Sequence, residues 1–247
     1  MNKTRLLAVI ILASILLLAP KASALTAEEI IERVDNNHYV EQARMESELV
    51  IKTDRKEMTK ELIIYLAGNS ALVEFTNATD KGTKYLMIED DLWISFPDVD
   101  DPVRISNRML EQGMAGSDFS YQDLMEQEQL LELYDFEIID HQEYQGRASY
   151  LIEGVTKDGV NNSYYRRKLW VDQERFVYLK EELYSREGRL LRTIEAEEVE
   201  QFGKRWYVTE SLIDYKLRSG SKTLFRVTGI DFEPDISEEI FSLQGLK

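Results

Sequence analysis

From Arg44 onward, apolar and polar residues take turns at every second position. That period makes β-sheet the regular structure most of the chain can form. Met45, Ser47, Leu49 and Ile51 alternate with Arg44, Glu46, Glu48 and Lys52, giving one face for a core and one for water. Similar runs follow at residues 58–66, 71–76, 83–89 and 92–96. After a helical interruption they resume at 136–140, 148–156, 164–171, 176–185, 190–199, 206–217 and 223–232. Turn formers separate them, among them Gly68-Asn69-Ser70, Asp80-Lys81-Gly82, Asp90-Asp91, Asp158-Gly159, Glu187-Gly188 and Gly203-Lys204. Connections this short predict antiparallel pairing in sequence order, as a meander. A sheet of about 11–12 strands curls. It either closes around side chains or a ligand, or closes partly and needs a cover.

The cover has to come from three short helical pieces. The first starts at Thr26, which forms a capping box with Glu29. Ala27, Ile30, Ile31 and Val34 then fall on one apolar face. In the middle of the chain, Ser120 is placed to cap a helix from Tyr121 to about Tyr134. Its stripe of Tyr121, Leu124, Met125 and Leu131 is apolar and its other face, Glu126, Glu128 and Glu132, is acidic. An amphipathic helix of this kind reads as a lid with an apolar underside.

Residues 1–24 read as a signal peptide. Lys3 and Arg5 precede an apolar run from Leu6 to Ala19, and Ala22-Ser23-Ala24 supplies a small-x-small cleavage site. The run is shorter than the roughly 20 residues a membrane span needs. Cleavage after Ala24 leaves residues 25–247 as one domain. It removes the cations Lys3, Arg5 and Lys21 and no acid, which takes the net charge from −16 to −19. That charge repels nucleic acid and anionic headgroups. With no cysteine, the chain has no thiol nucleophile, thiolate metal site or lipid attachment point. A domain of this length buries enough surface to fold without disulfides.

Reaction chemistry is sparse. The only histidines, His38 and His141, read as solvated loop residues. There is no nucleophile elbow, no phosphate-cradling glycine loop and no zinc-spaced histidine pair. Asp98, Asp100 and Asp101 lack the ligand spacing of a calcium loop. The expectation is a protein that is not an enzyme and that carries no cofactor or metal. What the chain has in excess is apolar lining: aromatic residues at alternate strand positions, and Met45, Met87, Met109, Met114 and Met125 around the middle helix, where flexible thioethers suit an adaptable surface.

Several segments together resemble the outer-membrane lipoprotein-sorting protein family, in its LolA-like branch. They are Gly82-Thr83-Lys84-Tyr85-Leu86, Leu92-Trp93-Ile94-Ser95-Phe96-Pro97, Arg104-Ile105-Ser106, and most specifically Gly116-Ser117-Asp118-Phe119-Ser120-Tyr121-Gln122-Asp123-Leu124. The ending, Ile236-Ser237-Glu238-Glu239-Ile240-Phe241-Ser242-Leu243, resembles that family's closing turn and strand. The resemblance implies a LolA/LolB-like unclosed antiparallel barrel with a helical lid over a cavity for acyl chains. It also implies an arginine at the start of the third strand that latches the lid through helix carbonyls. The matching stretch here, Leu66-Ala67-Gly68-Asn69-Ser70-Ala71-Leu72, has none.

The expected function is that of an exported, periplasmic, monomeric carrier. It would bind lipid or lipoprotein acyl chains and exchange them with a membrane-bound donor or acceptor, a transporter or an outer-membrane receptor. The alternative is a lipid-sensing module of the same fold acting on a membrane partner. The expected cavity wall comprises Met45, Leu49 and Ile51 on the first strand, Leu62 and Ile64 on the second, Phe75 on the third, Tyr85 and Met87 on the fourth, and Trp93 and Phe96 at the fifth. The expected lid carries Met114, Phe119, Tyr121, Leu124 and Met125.

Overall fold

The structure, a computed structural model, describes residues 24–88, 91–106, 109–126, 130–160 and 162–246. The signal-peptide segment, residues 1–23, lies outside the described residues, as do the side chains of His38 and Met125.

Helix α1 (Ala27–His38) begins as its capping box dictates. The Thr26 side chain accepts from the Glu29 amide, and the Glu29 carboxylate accepts from the Thr26 amide. The strands follow: β1 (Gln42–Thr53), β2 (Glu57–Ala67), β3 (Ser70–Phe75), β4 (Lys84–Ile88), β5 (Asp91–Ser95) and the two-residue β6 (Val103–Arg104). A 3-10 turn at Met114–Gly116 and the short helices α2 (Tyr121–Glu126) and α3 (Leu130–Leu133) occupy the middle. Then come β7 (Tyr134–Tyr144), β8 (Arg147–Thr156), β9 (Arg166–Asp172), β10 (Tyr178–Tyr184), β11 (Leu190–Phe202), β12 (Arg205–Tyr215) and β13 (Ser221–Asp231).

All 13 strands form one antiparallel sheet, ordered β6-β5-β4-β3-β2-β1-β13-β12-β11-β10-β9-β8-β7. Neighbours in sequence pair as the short turns require, with two exceptions. The first strand pairs with the last, Arg44 opposite Asp231 and Thr53 opposite Ser221. The sixth and seventh do not pair, so the barrel is open between β6 and β7. The described residues between those edges, 105–106, 109–126 and 130–133, form the cover.

The inner face holds two apolar clusters. Strands β1 to β5 and β13 contribute Leu49, Leu62, Val73, Phe75 and Leu92, which pack with Ile105, Met114, Tyr121 and Leu124 of the cover. Strands β7 to β9 contribute Tyr134, Phe136, Ile152, Leu169 and Val171, which pack with Ile30, Ile31 and Val34 of α1 and Leu130 of α3. A third, smaller cluster sits on the outer face. There the C-terminal segment folds back so that Leu246 is buried against Leu72 and Leu86, with Trp93 and Tyr65 beside them.

Four expectations are corrected. The sheet has 13 strands, because β6 is too short to show a period. The helix expected from Tyr121 to about Tyr134 is helical at Tyr121–Glu126 and Leu130–Leu133, with residues 127–129 outside the described residues, and Tyr134 itself opens a strand. His141 lies within β7 opposite Tyr150, not in a turn. The C-terminal segment makes a 3-10 turn at Glu238–Ile240 but adds no strand.

Candidate functional site

Nine of the fifteen expected lining residues meet in one cluster: Met45, Leu49, Leu62, Ile64, Phe75 and Tyr85 from the sheet, and Met114, Tyr121 and Leu124 from the cover. Met87 and Phe119 pack against it, and Ile51 is buried on β1 two residues beyond Leu49. Tyr85 stacks edge-on to Phe75, with ring centres 5.6 Å apart, and lies 5.7 Å from the Tyr121 ring of the cover. Phe119 stacks on Phe225 of β13. Burial pushes the Tyr207 hydroxyl up to about 12, and it meets the Met45 sulfur at 3.6 Å. The cover thus fills the inner face with its own apolar side chains.

Two expected wall residues are elsewhere. Trp93 points to the outer face, among Leu72, Leu86 and Leu246. Its neighbours Leu92 and Ile94 take the inner positions, and alternation sends the residue between them outward. Phe96 lies past the end of β5 and is 42% exposed.

The cover is held by more than apolar contact. Its loop is tight: the Met114 amide donates to the Phe119 carbonyl at 2.7 Å, and Gly113 bridges to Ser120. A Cβ at Gly113 would collide with the Ser117 carbonyl, so that position requires glycine. The loop presents Asp118, which is 1% exposed. Its carboxylate accepts from Ser221 Oγ at 2.8 Å and Thr223 Oγ1 at 3.0 Å on β13, while its amide donates to Thr223 Oγ1 at 2.8 Å. Arg218, in the turn between β12 and β13, donates to the Gly116 and Ser117 carbonyls at 3.0 and 3.3 Å.

Five residues later Asp123 makes a second anchor. Ser120 caps α2 as expected, accepting from the Asp123 amide at 3.1 Å while its own amide donates to Asp123 Oδ2 at 2.7 Å. Arg192 of β11, 1% exposed, donates to Ser120 Oγ at 2.9 Å and forms an ion pair with Asp123. The Tyr164 hydroxyl donates to Asp123 Oδ1 at 2.8 Å. Gln122 reaches Asn162 at 2.8 Å. Burial pushes the Arg192 guanidinium down to about 10, which leaves it charged at neutral pH.

Residues 66–72 hold no arginine, but two arginines elsewhere in the sheet and its turns bind the cover. Arg218 binds cover carbonyls and Arg192 binds a cover carboxylate. Arg192 gives a weak sequence signal: a cation at a strand position with Ile194 and Ala196 following at alternate places.

Among curated proteins none matches this sequence. A family model described as "Uncharacterized protein" matches residues 67–247. Three solved structures superpose on most of the chain. A DUF1329 family protein from Desulfovibrio piger is 22% identical with a TM-score of 0.79, over 89% of this chain and 97% of that one. A putative outer membrane lipoprotein-sorting protein domain from Vibrio parahaemolyticus is 23% identical with a TM-score of 0.77, over 88% and 97%. A LolA superfamily protein from Nitrosomonas europaea is 24% identical with a TM-score of 0.75, over 89% and 98%. At these identities what is shared is the fold.

Proposed function

The chain belongs to the family whose model spans its residues 67–247, its fold is LolA-like, and we propose that it is an exported carrier of lipid or lipoprotein acyl chains. One observation carries this reading. The inner face over β1 to β5 is covered by the described part of one segment, Ile105 and residues 109–124, whose apolar side chains occupy the place that acyl chains would take. Two polar anchors, Asp118 and Asp123, tie that segment to the sheet.

Exchange of cover for cargo needs no bond chemistry. Cargo chains gain about 0.8 kcal/mol for each methylene that leaves water. Met114, Tyr121 and Leu124 lose the same kind of contact when the segment lifts. Cargo of two or three chains offsets that loss, and a membrane or an acceptor cavity offers the chains a comparable environment for release. The apolar run and the Ala-x-Ala site at residues 1–24 support delivery to the periplasm, where such an exchange between membranes takes place.

Protein purified from its own envelope is expected to carry lipid visible by native mass spectrometry, and the emptied protein to bind a fluorescent fatty acid at micromolar concentration or tighter. Leu124→Glu is expected to tighten that binding, since the covered state would bury a charge without a partner in the cluster around Phe75 and Tyr85 and cargo relieves it by displacing the segment. Failure of the emptied protein to bind any acyl probe would leave a solid β-domain and end the carrier reading.

A further inference from the structure

The charges around the cover are distributed unequally. The carboxylates that face Arg192 are Asp123, in the ion pair, with Asp118 and Glu111 further off. All three belong to the cover segment. From the sheet side Arg192 meets the Tyr215 ring at 5.0 Å, the Tyr164 ring at 5.8 Å and a second cation, Arg218. The contacts of Arg218 are Asp118 at 3.6 Å and the Gly116 and Ser117 carbonyls, again all on the cover. Arg192 Nε is buried with no hydrogen-bond partner even while the cover is in place.

Lifting the segment would therefore strip both arginines of their acids together. A guanidinium left in a recess beside apolar walls, without a counter-ion, is strongly unfavourable. The cover thus leaves readily only if another anion replaces Asp123. We propose that Arg192 is the headgroup site of the interior: the anionic head of an amphiphile, a carboxylate or a phosphate, takes the place of the Asp123 carboxylate while its chain takes the place of Met114, Tyr121 and Leu124. The inference rests on the carrier reading and narrows its cargo to anionic amphiphiles. Planar guanidinium geometry and the spare Nε suit a two-oxygen acceptor. The strongly acidic surface elsewhere makes this recess a local exception, where an anion is drawn to the buried Arg192 and the more exposed Arg218.

The test is a fluorescence titration of emptied protein with cis-parinaric acid and with its methyl ester, at a pH where the acid is ionised. The unaltered protein is expected to bind the acid about tenfold tighter than the ester, the worth of one charge-assisted contact. Arg192→Gln is expected to make the two equal, and Arg192→Lys to keep most of the preference, which separates loss of charge from loss of fold. Asp123→Asn is expected to tighten binding of both probes, because the displaced group no longer competes as a carboxylate. Equal affinity for acid and ester in the unaltered protein, or a preference that survives Arg192→Gln, would overturn the headgroup site while leaving the carrier reading intact. Displacement of the acid by millimolar inorganic phosphate would also overturn it, in favour of a site for free anions. If neither probe binds, the carrier reading fails first and the headgroup site with it.

Discussion

Replacing Asp118 by alanine measures how firmly the cover is bolted to the sheet. The carboxylate accepts two hydroxyl hydrogen bonds, from Ser221 and Thr223, at 2.8 and 3.0 Å. Bonds of this charged kind contribute about 1.5–3 kcal/mol each, so the gross loss is about 3–6 kcal/mol. Two effects reduce it. The variant no longer has to bury a carboxylate that is 1% exposed, and Thr223 still accepts from the residue-118 amide. The Arg218 contact, at 3.6 Å to a half-exposed side chain, adds little. A net loss of about 2–4 kcal/mol remains. Urea unfolding followed by far-ultraviolet circular dichroism reads it as a lower midpoint at unchanged slope. Thr223→Val in the same background should cost less than it does alone, with a coupling of about 1–2 kcal/mol between the two sites. A loss below about 1 kcal/mol for Asp118→Ala, with additive effects in the double variant, would show that apolar contact alone retains the segment.

Three other outcomes are expected. Burial raises the Asp172 carboxyl, but Arg147 and the amides of Arg175 and Glu174 outweigh it and hold the group below the usual carboxylate range. A depressed folded value stabilises the native state above the unfolded pKa of about 3.9 and loses that contribution as pH falls through the folded one. Asp172→Asn should therefore cost about 1–3 kcal/mol near neutrality, and the gap to the unaltered protein should close below about pH 4 in an acid-unfolding series. Leu246→Ala should lower stability by about 2–3 kcal/mol and redden Trp93 emission, a shift absent in a Trp93→Phe background; unchanged emission would place the C-terminal segment away from the outer face. Intact mass of the exported protein should correspond to a chain starting at Leu25, and a mass retaining residues 1–24 would mean a membrane-anchored protein.

The period-two runs placed twelve of the strands, since alternation of burial and strand geometry are the same physical fact. The same alternation, followed strictly, puts Trp93 outside: Leu92 and Ile94 flank it, and only one parity can face the core. Its place on the strand that leads into the lid suggested a cavity wall, but position along a strand does not choose a face. The capping chemistry of Thr26 and Ser120 was legible because it is local, within three residues. The two-residue β6 was not, because two residues show no period. Nor was the pairing of β1 with β13, or the reach of Arg192 to Asp123 across 69 positions, since single-sequence patterns report near neighbours only. Asp118 and Asp123 stood out in the sequence as parts of a distinctive segment. That they are buried anchors rather than the wet side of a lid follows only from their partners on β11 and β13.

The pairing of the first strand with the last also governs how the chain acquires its structure. Arg44 must find Asp231, and the inner wall is incomplete until β13 docks between β1 and β12. Loops of that length are costly to close before any contact rewards them, so such topologies cross their folding barrier slowly, in milliseconds to seconds or longer. Growing from its N-terminus, the chain can form hairpins early but cannot join its two halves through β1 and β13 until residue 231 is free.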